Sequence, residues 1–456
     1  MALFPVQRGA ALLTLALGAS AVAAPRPPAT EEPATARVMA DDVPDQSWGP
    51  ASAVPGLDVT LTDGLDPNRI EFALLPGVSA NSDTGVGFGV LGTLAGFEPD
   101  FDPFRWRLEL FLFLTLKEAP DGSIEDPFHY YYLKYDFPDV AGDWLRLSGE
   151  VSFKRFSTTG YYGMGNATRE LDEGARLADD APEGADPGRY YQYDRIFPKA
   201  ELNARLRVME GLEVFTGGSF TWNWFNWYPG SKITEDLDGR SGEGVRSLLI
   251  GATTHGAVQG IVGLLFDSRD HEYTPQSGML HEVSVLSGTG IGADFTYGRA
   301  NATARFYQAI YGEYLVFAAR LMGDVLFGEV PFYELARFGG LNPRDAPGGS
   351  EAVRGVPAQR YHGKLKVLAN LELRSKLWSF EVFDQRMNLG VVAFGDTGRV
   401  WTDWEEHPDL DGTDVGLKVG TGGGVRFQWG ETFIARIDGA WSPDGVGFYV
   451  EAYHIF

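Results

Sequence analysis

The chain of 456 residues contains no cysteine, which excludes disulfides, thiolate metal sites and thiol nucleophiles. It is poor in positive charge. There are 38 Lys and Arg against 62 Asp and Glu, a formal net charge of −24. The basic stripe that phosphate-backbone binding requires is missing, so nucleic acid is not an expected partner. No stretch after the N-terminal residues approaches the roughly 20 consecutive apolar residues of a spanning helix. Recognisable catalytic motifs are missing too. Of the seven histidines, His255, His271, His281 and His407 fall in or near turns and loops, and His129, His362 and His454 fall on expected strands. None sits in a nucleophile or metal motif, so neither enzyme activity nor a cofactor or metal is expected. Acidic clusters occur at Asp172, Glu173, Asp179, Asp180, Glu183 and Asp186, and again at Asp403, Glu405, Glu406, Asp409 and Asp411. They lack the D-x-D-x-D-G spacing of a calcium loop and read as solvated loops.

What the chain does have is glycine and aromatics: 58 Gly, 19 Tyr, 11 Trp, and 13% aromatic residues overall. Glycine and aromatics without helical spans suit a transmembrane β-barrel, whose strands alternate lipid-facing and lumen-facing residues between two aromatic girdles. A soluble all-β fold is the alternative. Residues 1–23 read as a secretory signal, with Arg8, an apolar run from Ala10 to Leu17, and small residues up to a cleavage site near Ala23. Residues 24–69 are rich in Pro, Ala and acidic residues and read as a disordered periplasmic segment. Residues 70–456 are expected to form the barrel. The sixteen expected strands are 70–80, 85–96, 105–117, 128–138, 145–157, 196–208, 211–226, 257–266, 279–288, 297–310, 313–327, 361–377, 388–400, 415–429, 431–441 and 446–456. An even strand number is what a bacterial single-chain barrel requires.

The alternation is clearest late in the chain. In 361–377, Tyr361, Leu365, Val367, Ala369, Leu371 and Leu373 alternate with His362, Lys364, Lys366, Asn370, Glu372, Arg374 and Lys376. In 415–429, Leu417, Val419, Val425, Phe427 and Trp429 share one face, with Lys418, Arg426 and Gln428 on the other. Between two such strands lies an insert too long for a hairpin turn. It begins at the Gly- and Pro-rich run Gly339 to Gly349 and leads to Val353-Arg354-Gly355.

At that tripeptide the chain resembles the barrel of the outer-membrane assembly factor and two-partner secretion transporter superfamily (BamA, TamA and their relatives, the bacterial surface antigen family). The resemblance rests on four features. Val353-Arg354-Gly355 ends a long loop before the fifth-last strand. Arg360-Tyr361-His362-Gly363-Lys364 continues to Asn370-Leu371-Glu372-Leu373-Arg374. Phe394-Gly395-Asp396-Thr397-Gly398 matches the family's F-x-D-x-G. Phe266-Asp267-Ser268-Arg269-Asp270 with Thr274-Pro275-Gln276-Ser277-Gly278 forms a hairpin common in these barrels. The resemblance implies an all-β fold, a transmembrane antiparallel barrel of about 16 strands, in the bacterial outer membrane. Its sixth extracellular loop folds into the lumen and sets Arg354 against Asp396 and Glu372. Both carboxylates fall on faces that allow this, and a guanidinium can pair both oxygens of a carboxylate where lysine cannot. Phe456 on an alternating final strand resembles a barrel recognition signal.

The family's periplasmic POTRA modules do not fit into the residues before 70. The expected partners are therefore outer-membrane lipid and either a barrel-assembly machinery or a periplasmic partner supplying the missing modules, around a monomer. The expected function is insertion or translocation of outer-membrane protein or lipid. The alternative is a passive or plugged channel, or a membrane anchor for surface loops.

Overall fold

The computed structural model describes residue 68 and residues 70–456, apart from 82–84, 99–103, 119–123, 141–143, 169–180, 184, 272–273, 346, 383–384, 430–432 and 453. The expected signal, nearly all of the 24–69 segment and the middle of the first acidic loop lie outside the described residues.

Short alternating runs separated by turn residues fold as antiparallel strands. The first half comprises β1 (Ile70–Asn81), β2 (Gly85–Gly96), β3 (Trp106–Glu118), β4 (Ile124–Glu125), β5 (Phe128–Phe137), β6 (Leu145–Gly160), β7 (Gln192–Ile196), β8 (Lys199–Met209) and β9 (Leu212–Trp227). After the short helices α1 (Lys232–Leu237) and α2 (Glu243–Ser247) come β10 (His255–Asp267), β11 (Gly278–Ile291), β12 (Thr296–Tyr311) and β13 (Leu315–Gly328). The next connection holds α3 (Phe332–Leu335), β14 (Arg337–Phe338) and β15 (Arg344–Asp345). The chain closes with β16 (Leu365–Val382), β17 (Gln385–Trp401), α4 (Pro408–Asp411), β18 (Lys418–Trp429), β19 (Phe433–Ser442) and β20 (Gly445–Ala452).

Eighteen strands form one sheet, and β14 and β15 form a separate two-stranded ribbon. Within the large sheet β4 and β7 are short additions of 2 and 5 residues. Each of the expected segments overlaps one of the longer strands. Bounds shift by a few residues in most segments, and two of these shifts move expected site residues off their strands. Tyr361 to Lys364 precede β16 rather than opening it: the Gly363 N–H donates to the Leu335 carbonyl at 3.2 Å, within the preceding connection, rather than to a neighbouring strand. The last strand stops at Ala452, so Phe456 is not on it.

The fold is an antiparallel β-barrel with its polar face inward. On β16, Lys366, Asn370 and Glu372 are buried, whereas Val367, Leu371 and Leu373 are exposed on the outer wall. On β19, Arg436 and Asp438 are buried, and Ile437 and Trp441 are exposed. This inverts a soluble protein, as expected where the outer solvent is hydrocarbon. Among the described residues β1 pairs with β2 alone and β20 with β19 alone, so no ladder joins the first and last strands. β1 accommodates Pro76, which has no N–H to donate and therefore suits an edge strand. β20 begins with Gly445 and Gly447, which weaken strand pairing.

The connection from β13 to β16 turns inward. Its Phe338, Ala352, Val353, Val356 and Tyr361 form one buried cluster with Met322, Leu368 and Val400 of the wall. At one end of the barrel Tyr161, Tyr193, Ile233, Val245, Phe295 and Phe332 pack together, so the connections after β6 and β9 cover this inward loop.

Candidate functional site in the barrel lumen

The site starts from the spacing of strands β16 to β20. Register sets Asn370 opposite Asp396, Asp396 opposite Gly420, and Asp438 opposite Tyr449. Period-two alternation aims Asn370, Glu372, Asp396, Arg426, Asp438 and Tyr449 at the lumen. β18 presents Gly420, Gly422 and Gly424 on that same face, leaving the wall bare of side chains where the loop arrives. A Cβ at Gly420 would lie 2.0 Å from the Arg354 carbonyl oxygen.

Arg354 fills the resulting gap and is fully buried. Its Nε donates to Asp396 Oδ2 at 2.7 Å and its Nη2 to Asp396 Oδ1 at 2.9 Å, a two-pronged pair. The Arg354 backbone N–H donates to Asp396 Oδ2 at 3.2 Å. Nη1 reaches Glu372 Oε1 at 2.8 Å and Asp438 Oδ2 at 3.3 Å. The guanidinium carbon lies 3.3 Å from the centre of the Phe394 ring, whose π face favours a cation. Gly355 takes a positive φ of 93°, and its N–H donates to the Tyr449 hydroxyl at 2.8 Å. Val353 is fully buried against Gly398, where a Cβ would stand 3.3 Å from its Cγ2.

Around this centre the charges interlock. Asn370 donates to Asp396 Oδ1 at 2.8 Å and to the Ala352 carbonyl at 2.7 Å, tying wall to loop. Glu372 also accepts from Arg374 at 2.9 Å. Asp438 accepts from Arg426 and from Arg436, and Arg436 donates onward to the Ser350 carbonyl at 3.2 Å. Burying three carboxylates costs several kcal/mol each, so only a dense set of guanidinium partners makes the arrangement tenable. At the outer end of the loop the Tyr361 hydroxyl donates to Asp444 at 2.7 Å. Arg360 donates to Thr168 at 2.6 Å and lies over the Tyr162 and Tyr361 rings. His362 is fully buried, edge-on to Tyr161 with 5.1 Å between ring centres. Burial, with Lys366 and Arg360 nearby, pushes its imidazole down to about 3, so it is neutral at physiological pH.

The structure therefore brings Arg354, Glu372, Asp396, Phe394, Asn370, Val353, Gly355 and Gly398 to one place. It sets Arg360, Tyr361 and Gly363 in the loop rather than on the strand. Phe456 is not on the last strand; it is buried beside Tyr307 and Ala318, and Arg374, which bonds Glu372, also reaches its main-chain oxygen at 2.7 Å. Sequence reasoning missed Asp438, Arg436, Arg320, Tyr449 and the Tyr361–Asp444 pair. Parity in 433–442 was the available signal for Asp438 and Arg436, which alternate with Ile434, Ala435 and Ile437 only imperfectly. Among the described residues no cluster of His, Asp and Glu is arranged to hold a metal ion.

These features define a membrane β-barrel whose inward connection sets a buried arginine against carboxylates of the wall. A profile of the Omp85 superfamily domain matches residues 128–447, and the chain belongs to that superfamily. Its barrels are bacterial outer-membrane proteins that act as assembly factors and transporters. Among solved structures, BamA from Haemophilus ducreyi lacking POTRA domains 1–3 is similar at 16% identity and a TM-score of 0.49, covering 83% of this chain and 67% of that one. CdiB from Escherichia coli is similar at 10% identity and a TM-score of 0.49, covering 82% of this chain and 58% of that one. CdiB from Acinetobacter baumannii is similar at 12% identity and a TM-score of 0.43, covering 82% and 62%. The chain thus spans less than two thirds of the length of either CdiB. No curated protein matches it.

Proposed function

We propose that this barrel inserts or translocates polypeptide or lipid at the outer membrane, using the junction between β1 and β20, while Arg354 locks the inward loop in place. The observation that carries the reading is the lack of a ladder between β1 and β20 among the described residues. Unpaired strand edges offer N–H and C=O groups to an incoming strand, and in lipid those groups demand partners. Export by residues 1–23, a periplasmic segment over 24–69 and a barrel from 70 onward belong to the same reading. So does a periplasmic partner or assembly machinery that supplies client capture. Depletion tests it: the outer-membrane protein profile and lipid asymmetry should change. An unchanged envelope would defeat the proposal.

The filled lumen favours a second reading, a plugged channel. Planar-bilayer conductance separates the two parts of the account. The intact chain should pass little current and Arg354→Ala should pass more, whereas equal steady currents would refute a loop that plugs the lumen.

A further inference from the structure

The connection from β13 to β16 meets the wall at a second ionic centre, apart from that of Arg354. Asp324 on β13 and Arg299 on β12 are buried, 0% and 3% exposed. Asp324 Oδ1 accepts the Gly339 N–H at 2.9 Å and the Asn301 amide at 3.2 Å. Its Oδ2 pairs with Lys366 at 3.0 Å and with Arg299 at 3.4 Å. Arg299 Nη1 pairs with Glu334 of α3 at 3.0 Å. Its Nη2 donates to the Glu334 carbonyl at 2.8 Å and to the Arg337 carbonyl at 3.3 Å. Glu282 on β11 accepts the Leu341 N–H at 2.6 Å. Residues 334–341, the entering limb, are thus held by charges that are not partners of Arg354.

Beyond that limb the backbone is shaped to hinge. Residues 349–356 close a compact turn that carries Arg354, with the Gly349 N–H donating to the Val356 carbonyl at 2.9 Å. Left-handed backbone stands on both sides of it, with φ of 124° at Gly348, 90° at Gly349 and 56° at Gln359. Gln359 is the one residue other than glycine with positive φ among the described residues. An L side chain holds that conformation where its surroundings enforce it, so releasing the turn relieves it. The turn itself is tied to the wall by Arg354, by the Asn370 amide at the Ala352 carbonyl and by Arg436 at the Ser350 carbonyl. Breaking these ties leaves every bond of the entering limb in place.

We propose that Glu282, Arg299 and Asp324 are positioning residues that keep the entering limb seated when Arg354 lets go. Residues 348–359 then swing as a hinged flap, and the inward connection does not leave the lumen as one unit. The flap needs no opening of the β1–β20 junction, so its failure would leave the reading of that junction untouched. The test places single cysteines in the otherwise cysteine-free barrel, Ser350→Cys on the turn and Leu341→Cys on the entering limb, and follows their reaction with a maleimide in detergent micelles. With Arg354→Ala, Ser350→Cys should react at least about tenfold faster than in the parent chain, and Leu341→Cys within about threefold of it. Adding Glu334→Ala, which leaves the Arg299–Asp324 pair in the wall, should then speed Leu341→Cys at least about tenfold. Equal acceleration of both cysteines by Arg354→Ala alone would overturn the flap, as would no acceleration of Ser350→Cys. Indifference of Leu341→Cys to Glu334→Ala would remove the second seat. Should a variant lose its heat-modifiable mobility, urea titration of the parent chain decides. Ser350→Cys should become reactive at a lower urea concentration than Leu341→Cys, and one shared midpoint would overturn the proposal.

Discussion

Removing the Arg354 side chain is the sharpest perturbation of the lumen lock. The three carboxylates around it do not lose equally. Glu372 keeps Arg374, and Asp438 keeps Arg426 and Arg436. Asp396 loses the one cation that pairs with it among the described residues, keeping the Asn370 amide. Arg354→Ala therefore leaves a buried, uncompensated carboxylate, a change that costs about 3–5 kcal/mol. Because the arginine sits on the loop and its partners on the wall, that cost falls on loop seating rather than on the strand ladders. At about 1.4 kcal/mol per power of ten, the seated-to-released ratio should drop by roughly two to four powers of ten. Trypsin reads this directly, since Arg344 and Arg360 lie on the same loop and remain in the variant. When opening and closing are fast, cleavage tracks the released population. The loop should be cut far faster in Arg354→Ala while the barrel keeps its heat-modifiable mobility. Arg354→Lys should fall between, because lysine keeps the charge and loses the fork. Cleavage within about threefold of the parent chain, far below the change that an unpaired buried carboxylate implies, would show that apolar packing of Val353, Val356 and Tyr361 holds the loop without the ion pairs.

Other substitutions probe separate contacts. Gly420→Val should unseat the loop as Arg354→Ala does, since even a Cβ would meet the Arg354 carbonyl at 2.0 Å. Gly395→Ala, on the outer face with nothing within 4 Å of its Cβ position, should shift the urea midpoint by no more than about 0.5 kcal/mol equivalent. Tyr449→Phe removes the acceptor for the Gly355 N–H and should cost about 1 kcal/mol in the same titration. His362 gives a pH dependence. Its imidazole falls from the ordinary 6.5 to about 3, so the folded chain binds fewer protons than the unfolded chain between those values. The stabilisation is complete above pH 6.5 and is lost as pH falls through that window, by about 2 kcal/mol at pH 5. Thermal melts of His362→Phe should be less acid-sensitive than those of the parent chain; parallel acid profiles would refute a neutral buried imidazole.

Much of the barrel was legible because period-two alternation is a local property. Leu371 and Glu372 announce their faces without knowledge of any neighbour. The Arg354, Glu372 and Asp396 set was legible through motif resemblance, and parity then showed that both carboxylates could face inward. Asp438 was not seen, because its partnership with Arg354 depends on register across β17, β18 and β19, which no single strand encodes. The glycines of β18 carried no signal of their own. Their role as a bare patch for the loop backbone emerges only once Gly420 lies under the Arg354 carbonyl. The end of the chain misled for a similar reason. Val446 to Tyr453 alternates well, and nothing local reports that the strand stops at Ala452 or that Arg320 and Arg344 donate to the Ile455 carbonyl.

The central claim, that the β1–β20 junction is where this barrel works, is best tested by closing it. The chain has no cysteine, so paired cysteines stepped along β1 and β20 can be scanned for a disulfide across the junction in cells. In a depleted strain, the crosslinked barrel should fail to restore the outer-membrane protein and lipid profile, and reduction should restore it. Full rescue by a barrel whose β1 and β20 are covalently joined would contradict the account.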